Sequence, residues 1–499
     1  MDLIICVKNK LVLTNSSHGS LSFGEGWGEV LKTNKMNPKI KYLYAICVSF
    51  MLTAQTGFSQ SKNLPKLKVS PNQHYFVTED GKPFFWLGDT GWLTFGKLDR
   101  EGVVKYLEDR KAKGFNVVQV MVLHNVNAVN AYGDQALMND NVAHQITSPG
   151  NDPNNAPEYD YWDHVDYTLE VAQKNGIYLA MVPVWGTNIS SDKSKVTKAD
   201  VEKYAKFLAD RYKNKTNVIW LNGGDTYGDK FQDIWNALGS ILKTSNPDQL
   251  VTFHPFGRTD SSENYHNASW LDFNMFQSGH RRYDQDSVKP FKEDNFKFVQ
   301  RDWDLKPTKP TLDGEPSYEG IPHGLHDTLQ PKWTAGDVRR YGYWSVFAGG
   351  AGYTYGHNAV MQMFRKGDNP AYGNKELWND AINAPGAGQM MHIKNLMLEF
   401  PYLDRVPDQS LVANQGKKYD YQVATRGNDY ALIYTYTGRK ITVNMGKISG
   451  DKVTASWYNP RNGEKIKIGI FDNKGTKEFQ PSGKKEDGND WVLILTSNK

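Results

Sequence analysis

Between Lys66 and Phe400 the chain repeats one texture eight times: a short apolar run that ends in polar residues, followed in most repeats by an amphipathic stretch. The runs lie at 83–88, 117–123, 177–184, 217–221, 250–253, 271–276, 310–313 and 351–355. Apolar runs of this length bounded by turn residues read as strands buried on both faces, and the stretches between them as helices. Asp99 stands as a cap before Val103, Val104 and Leu107, and Gly114 ends that helix. Helices are also expected at 162–175, 198–213 and 231–243, and around Val338, Tyr341, Trp344 and Phe347. Eight strands, most followed by a helix, in about 300 residues predict a (β/α)8 TIM barrel, an α/β fold. The structural rival is a doubly wound sheet, but no G-x-G-x-x-G phosphate loop follows the first run.

From about Ser410 the texture changes to short alternating runs at 421–425, 430–436, 453–458, 465–468 and 491–495, separated by turns such as Asn459-Pro460-Arg461-Asn462-Gly463. This spacing predicts a small antiparallel β-sandwich. The domains are therefore read as a catalytic barrel over 61–405 and an accessory sandwich over 406–499.

The first 60 residues read differently. Lys39-Ile40-Lys41, the apolar run from Tyr44 to Ala54 and the polar Thr56–Gln60 have the layout of a secretory signal peptide, too short to span a membrane. That signal starts naturally at Met36, so 1–35 is read as a spurious upstream extension and the protein as secreted or periplasmic, without membrane insertion. Both cysteines, Cys6 and Cys47, fall in the removed part, which leaves no disulfide, thiolate metal site or thiol nucleophile. Residues 1–60 also hold six of the 59 basic side chains but three of the 55 acidic ones. The remainder is close to neutral, with no basic block to suggest nucleic acid.

In such a barrel the active site lies at the C-terminal ends of the strands. The strand-end residues are Asp89, His124, Asn125, Trp185, Asn222, Asp225, His254, Gln277, His280, Glu315 and His357. Ordinary turns would supply Gly, Asn and Ser rather than so many His and Trp. Cleavage of a glycosidic bond needs two facing carboxyl groups, one to protonate the leaving oxygen and one to attack or to activate water. Strands four and seven lie across the ring from each other, so Asp225 is read as acid/base and Glu315 as nucleophile. Taken alone, Asn222-Gly223-Gly224-Asp225 is a turn signal. Pro316 holds Glu315 extended, which suits a rigid inward side chain. Asp89 reads equally as a hydroxyl anchor or a turn cap, and Glu319 as a solvated or secondary contact. His323 and His326 have i, i+3 spacing but no helix and no matching carboxylates, so no metal and no cofactor are expected. Aromatic residues make up 13% of the chain, enough to fill a core and still line a sugar pocket.

The segments 85–92, 220–225 and 313–319 resemble glycoside hydrolase family 140, the apiosidase-type barrels of pectin-degrading gut bacteria, and the resemblance runs from about 66 to 499. It implies a catalytic pair at Asp225 and Glu315 and adds Trp92, Tyr318 and Glu319 to the substrate-binding residues. It also implies a C-terminal sandwich of the collagen-binding type. The implied activity is cleavage of the apiose–galacturonate linkage of rhamnogalacturonan-II, by a monomer whose partner is a polysaccharide or oligosaccharide. Arg281, Arg282, Arg339 and Arg340 are candidate cations for the galacturonate, the last two sitting in a helix where they could simply face water. Two alternatives remain: a hydrolase of the same fold acting on another glycan, and a non-catalytic carbohydrate- or collagen-binding protein.

Overall fold

The computed structural model describes residues 3–7, 10–14, 63–190, 196–286 and 289–498. The first of its two units, Met1–Lys62, is described as an antiparallel strand pair, Leu3–Val7 with Lys10–Thr14. The expected signal segment at 36–60 lies outside the described residues.

In the second unit, Asn63–Lys499, eight strands run parallel. They are β1 (Trp86–Thr90), β2 (Val117–Leu123), β3 (Tyr178–Val184), β4 (Val218–Thr226), β5 (Val251–Pro255), β6 (Asn274–Phe276), β7 (Thr311–Asp313) and β8 (Gly352–Tyr355). Their order is β5-β4-β3-β2-β1-β8-β7-β6, the ring expected of a (β/α)8 barrel. The ladder is interrupted between β5 and β6. There the Asp272 amide donates to the Val251 carbonyl (2.8 Å), the Val251 amide donates to Asp272 Oδ2 (2.8 Å), and Thr252 Oγ1 donates to the Phe273 carbonyl (2.5 Å).

Seven main helices accompany the strands: α1 (Arg100–Ala112), α2 (Tyr161–Lys174), α3 (Lys198–Tyr212), α4 (Gln232–Ser245), α5 (Asn295–Trp303), α6 (Ala335–Phe347) and α7 (Pro385–Glu399). Asp99 caps α1 by accepting from the Gly102 amide, and α2, α3 and α6 open on capping boxes set by Asp160, Thr197 and Thr334. Strand alternation divides the interior into two cores. Ile219 and Leu221 of β4 belong to the cluster inside the ring, while Val218 and Trp220 face outward to a second cluster with Val201 and Tyr204 of α3. Both faces are covered, so β2 and β3 are buried along their whole length and no polar alternation shows in their sequence.

Several strand boundaries differ from the sequence reading; the sixth strand starts at Asn274 rather than Leu271, the fifth runs on to Pro255, and two differences bear on the site. The run at 83–88 splits: Pro83–Phe84 joins Leu67–Val69 and Phe76–Thr78 in a small antiparallel sheet, and the barrel strand starts at Trp86. Asp89 therefore lies inside β1. The fourth strand does not stop at Leu221 but continues through Asp225 to Thr226.

The C-terminal part is antiparallel. Its strands are β9 (Val406–Pro407), β10 (Gln422–Arg426), β11 (Tyr430–Thr435), β12 (Ile441–Asn444), β13 (Lys452–Tyr458), β14 (Lys465–Asp472), β15 (Thr476–Phe479) and β16 (Trp491–Ser497). A six-stranded sheet, β9-β10-β11-β16-β13-β14, faces the pair β12–β15 over a core that includes Ile433, Ile441, Val453 and Leu493. This domain seats on α6, whose residues from Val338 to Phe347 are all buried. Tyr343 stacks on Tyr434 at 4.7 Å, and Arg339 grips Asp490 with two nitrogens at 2.8 and 2.7 Å. Arg340 is held by Glu293 (3.0 Å) and Asp337 (2.9 Å). Arg339 and Arg340 thus neither face water nor meet substrate: they hold the two domains together. No helix among the described residues is long and apolar enough to cross a membrane.

Candidate active site

Asp225 is delivered by a backbone that few residues can follow. Gly223, Gly224 and Asp225 have φ of 87°, 103° and 44°, three successive left-handed positions. A Cβ on Gly223 would stand 2.6 Å from the His254 carbonyl, and one on Gly224 would stand 2.5 Å from the Trp185 ring. The paired glycines are therefore required both by conformation and by space, and they turn the next residue into the mouth of the barrel.

Glu315 follows β7. Its neighbourhood is fixed by main-chain bonds: Gly314 donates to the Phe276 carbonyl (2.9 Å), and the Glu315 carbonyl accepts from Gly279 (3.0 Å). Gln119 Nε2 from β2 donates to the Gly314 carbonyl across the barrel (2.8 Å). The carboxylate is buried between two imidazoles. His280 Nε2 is 3.1 Å from Oε1, and His254 Nε2 is 3.2 Å from Oε2, off the line of a full hydrogen bond.

Asp225, His254 and Glu315 each bring one polar atom within 4.8 Å of the others. Burial, and then the charge of Glu315, pushes the Asp225 carboxyl up to about 7. Burial opposes the charged form of Glu315 too, but the two imidazoles outweigh it and hold this carboxyl well below the usual range. The same three atoms are spaced to hold a cation, the one such group among the described residues. With no cation between them, the fold favours the neutral form of Asp225, which suits a proton donor.

Two cavities meet at Asp225, and Glu315 lines the first of them. The inner one, about 270 Å³, is walled by Trp92, Trp185, Tyr318, Phe364 and Tyr372, with His124 and Gln277 at its edge. Trp92 and Trp185 lie 5.4 Å apart, and Trp92 Nε1 donates to the Tyr318 hydroxyl (3.3 Å). The outer cavity, about 430 Å³, shares Asp225, Gln277, His280 and Tyr372 and adds Tyr227, Phe256, Arg258, Arg281 and Lys289.

Of the expected site residues, Trp92, His124, Trp185, Asp225, Gln277, His280, Glu315 and Tyr318 meet at the inner cavity, and His254 bears on Glu315 from beside it. Five others do not. Asp89 points out of the barrel to Tyr106 (2.6 Å) and Arg110 (3.2 Å) of α1, in full burial. Asn222 also points outward and donates to the Trp235 carbonyl of α4 (2.7 Å). Glu319 accepts from the Tyr355 hydroxyl (2.7 Å) and the Gly386 amide (3.0 Å), anchoring the start of α7. His357 accepts from the Ala359 amide (3.1 Å) and caps the turn at Asn358–Met361. Asn125 sits in an exposed loop where its carbonyl accepts from Ala128. Sequence reasoning missed Met361, Gln362, Phe364, Asn369 and Tyr372, which come from the loop after β8. The one signal was the apolar cluster Ala359, Val360, Met361, Met363 and Phe364, broken by Gln362, inside an otherwise polar loop.

A parallel eight-stranded barrel with paired carboxylates at its strand ends is the frame of a glycoside hydrolase, and solved structures agree. One described as a glycoside hydrolase is 47% identical, with 87% of this chain and 97% of that chain covered and a TM-score of 0.82. A glycoside hydrolase family 5 structure from Bacteroides vulgatus ATCC 8482 is 45% identical, with 87% and 93% covered and a TM-score of 0.81. The chain belongs to the family described as "Apiosidase-like, catalytic domain", which matches residues 70–404. Residues 406–496 match "Putative collagen-binding domain of a collagenase". No curated protein matches the chain.

Proposed function

We propose that this glycoside hydrolase is a secreted or periplasmic apiosidase, cutting the apiose–galacturonate linkage of rhamnogalacturonan-II with Asp225 as acid/base and Glu315 as nucleophile. The observation that carries the catalytic roles is the opposite bias of two facing carboxyls, Asp225 held protonated and Glu315 held ionised. In the first step a Glu315 oxygen attacks the anomeric carbon while Asp225 gives its proton to the departing glycosidic oxygen. In the second, Asp225 takes a proton from water, which displaces Glu315 from the sugar. Carboxyl oxygens within 4.8 Å of each other leave too little room for the water that inversion needs between groups roughly 6.5–9.5 Å apart, so the reading includes retention at the anomeric carbon.

Cavity size and charge support the substrate. The inner cavity, about 270 Å³, falls below the roughly 300–1,000 Å³ of drug-sized sites and suits one terminal sugar resting against the wall that Trp92 and Trp185 form. The outer cavity carries Arg258, Arg281 and Lys289 on the leaving-group side, where a uronate carboxylate would lie. The sequence pattern at 36–60 supports export. Sugar release from rhamnogalacturonan-II by residues 61–499, absent in Glu315→Gln and Asp225→Asn, is the expected result. Release of no sugar from that substrate by the intact protein, with turnover of another glycan, overturns the apiose assignment.

A further inference from the structure

Where the barrel meets the C-terminal domain, a third cavity of about 770 Å³ opens. The barrel contributes Arg282, Tyr283 and Lys292, and the sandwich contributes Lys417, Lys418 and Tyr419 from one turn. Its two carboxylates are already engaged: Asp284 pairs with Arg282 at 2.9 Å, and Asp294 pairs with Lys297 at 2.7 Å and accepts from the Tyr283 hydroxyl. Lys292, Lys417 and Lys418 form no ion pair among the described residues. Lys417 and Lys418 are exposed, and the Lys418 ammonium stands 5.7 Å from the centre of the Tyr283 ring. Lys292 and Lys418 both adopt left-handed backbone, φ 48° and 52°, a conformation that costs a long side chain free energy. The chain thus spends strain on presenting two lysines to one space.

The aromatic floor is rigid. Tyr419 donates to Glu293 (3.1 Å), and its ring lies 5.5 Å from that of Tyr283. The cavity also adjoins the active site. Arg281 lines the outer cavity beside Asp225, and Arg282, the next residue, lines this one. The two cavities are thus lined by consecutive residues of one chain segment.

We infer that this cavity is a second, non-catalytic binding site for a carboxylated polysaccharide, seating the uronate chain that continues from the bond being cut. The inference rests on the polyuronate reading of the active site for its ligand class. Sugar faces would lie on the tyrosine rings and carboxylates on the three free lysines. A chain tethered at both places meets the catalytic pair at a raised effective concentration.

The test uses the secreted chain carrying Glu315→Gln, so that nothing is cut, titrated with de-esterified homogalacturonan. Lys292→Glu/Lys417→Glu/Lys418→Glu is expected to weaken binding about tenfold or more and to flatten its salt dependence. The triple Lys→Arg variant should keep tight binding, and the fully methyl-esterified chain should bind weakly. If the Glu triple melts early, Lys417→Glu alone, on an exposed turn, should show a smaller loss in the same direction. Affinity unchanged by charge reversal overturns the site, as does equal binding of the esterified chain or of polyglutamate. The two readings fail separately: homogalacturonan bound through the lysines by a protein whose intact form releases no sugar from rhamnogalacturonan-II sinks the linkage, whereas sugar released from rhamnogalacturonan-II by an enzyme whose homogalacturonan binding is indifferent to the lysines sinks the second site.

Discussion

Around the catalytic pair, Asp225 Oδ1, His254 Nδ1, Gln277 Oε1, His280 Nδ1 and Glu315 Oε2 are buried without a hydrogen-bond partner, while among the described residues of the sandwich Gln422 Oε1 stands alone in that condition. Buried polar atoms left unpaired are costly, and a fold removes them wherever stability is the only demand. The sandwich has done so. The barrel keeps them at its mouth and also elsewhere, Tyr212 Oη and Trp235 Nε1 on the outer helices among them. The contrast is thus between a barrel that tolerates unpaired buried polar groups and a sandwich that nearly excludes them, and at the mouth such groups sit beside the two carboxyls assigned to the chemistry.

Five expected outcomes probe that contrast, beginning with the largest effect. Glu315→Gln should lower kcat by on the order of 10⁴–10⁶, and Asp225→Asn by roughly 10²–10⁴ for a poor leaving group, both without loss of fold by circular dichroism. The parent kcat/KM should fall as pH rises through about 7, where Asp225 loses the proton it must donate, and this limb should vanish in Asp225→Asn. At the domain seam, Arg339→Ala takes the main ion pair from the buried Asp490 carboxylate, leaving it the Tyr434 hydroxyl (3.2 Å) and Arg461 at 3.6 Å, and should cost about 3 kcal/mol in chemical denaturation, while kcat of the folded fraction holds.

The fourth outcome concerns melting temperature. Asp225 ionises near 3.8 in the unfolded chain but only near 7 in the fold, so the stability that its neutral form supports is complete below 3.8 and is lost as pH rises through 7. Asp225→Asn should therefore melt with the parent at pH 3.5 and a few degrees above it at pH 8. A variant no more stable at pH 8 would mean that the mouth carries no such cost. The smallest effect is expected at Lys452–Asp472 on the sandwich surface, where both side chains are 59% exposed: Lys452→Ala should leave the denaturation midpoint where it is in the parent.

What the sequence made legible follows the same division. Seven-residue apolar strands such as β2 and β3, the Asp99 cap and the paired glycines before Asp225 were readable because each has a local cause. The polar strand β15, Thr-Lys-Glu-Phe, was not, because it buries only Phe479 and shows no alternation. Asp89, Asn222 and Glu319 looked like site residues because a polar side chain near a strand end reads alike whether it points in or out, and one residue of register decides which. Arg339 and Arg340 sat in a helix whose charge suggested solvent; only the partner domain reveals Asp490, Tyr419 and Tyr436 around them. The loop after β8 carries no periodicity, so its share of the cavity wall could come only from the folded chain.

The left-handed backbone at Asp225 has an evolutionary consequence. Only Gly, Asn and Asp settle comfortably in that conformation, so the turn itself narrows the residues tolerated there before any demand of chemistry. Exchange of Asp for Asn at 225 needs a single base change, preserves the turn and, on the assignment above, silences the acid/base. Loss of function at this position would leave no scar in the fold. A survey of related genomes that seeks retired copies of this enzyme should therefore look first for Asn after the two glycines, in sequences otherwise indistinguishable from working ones.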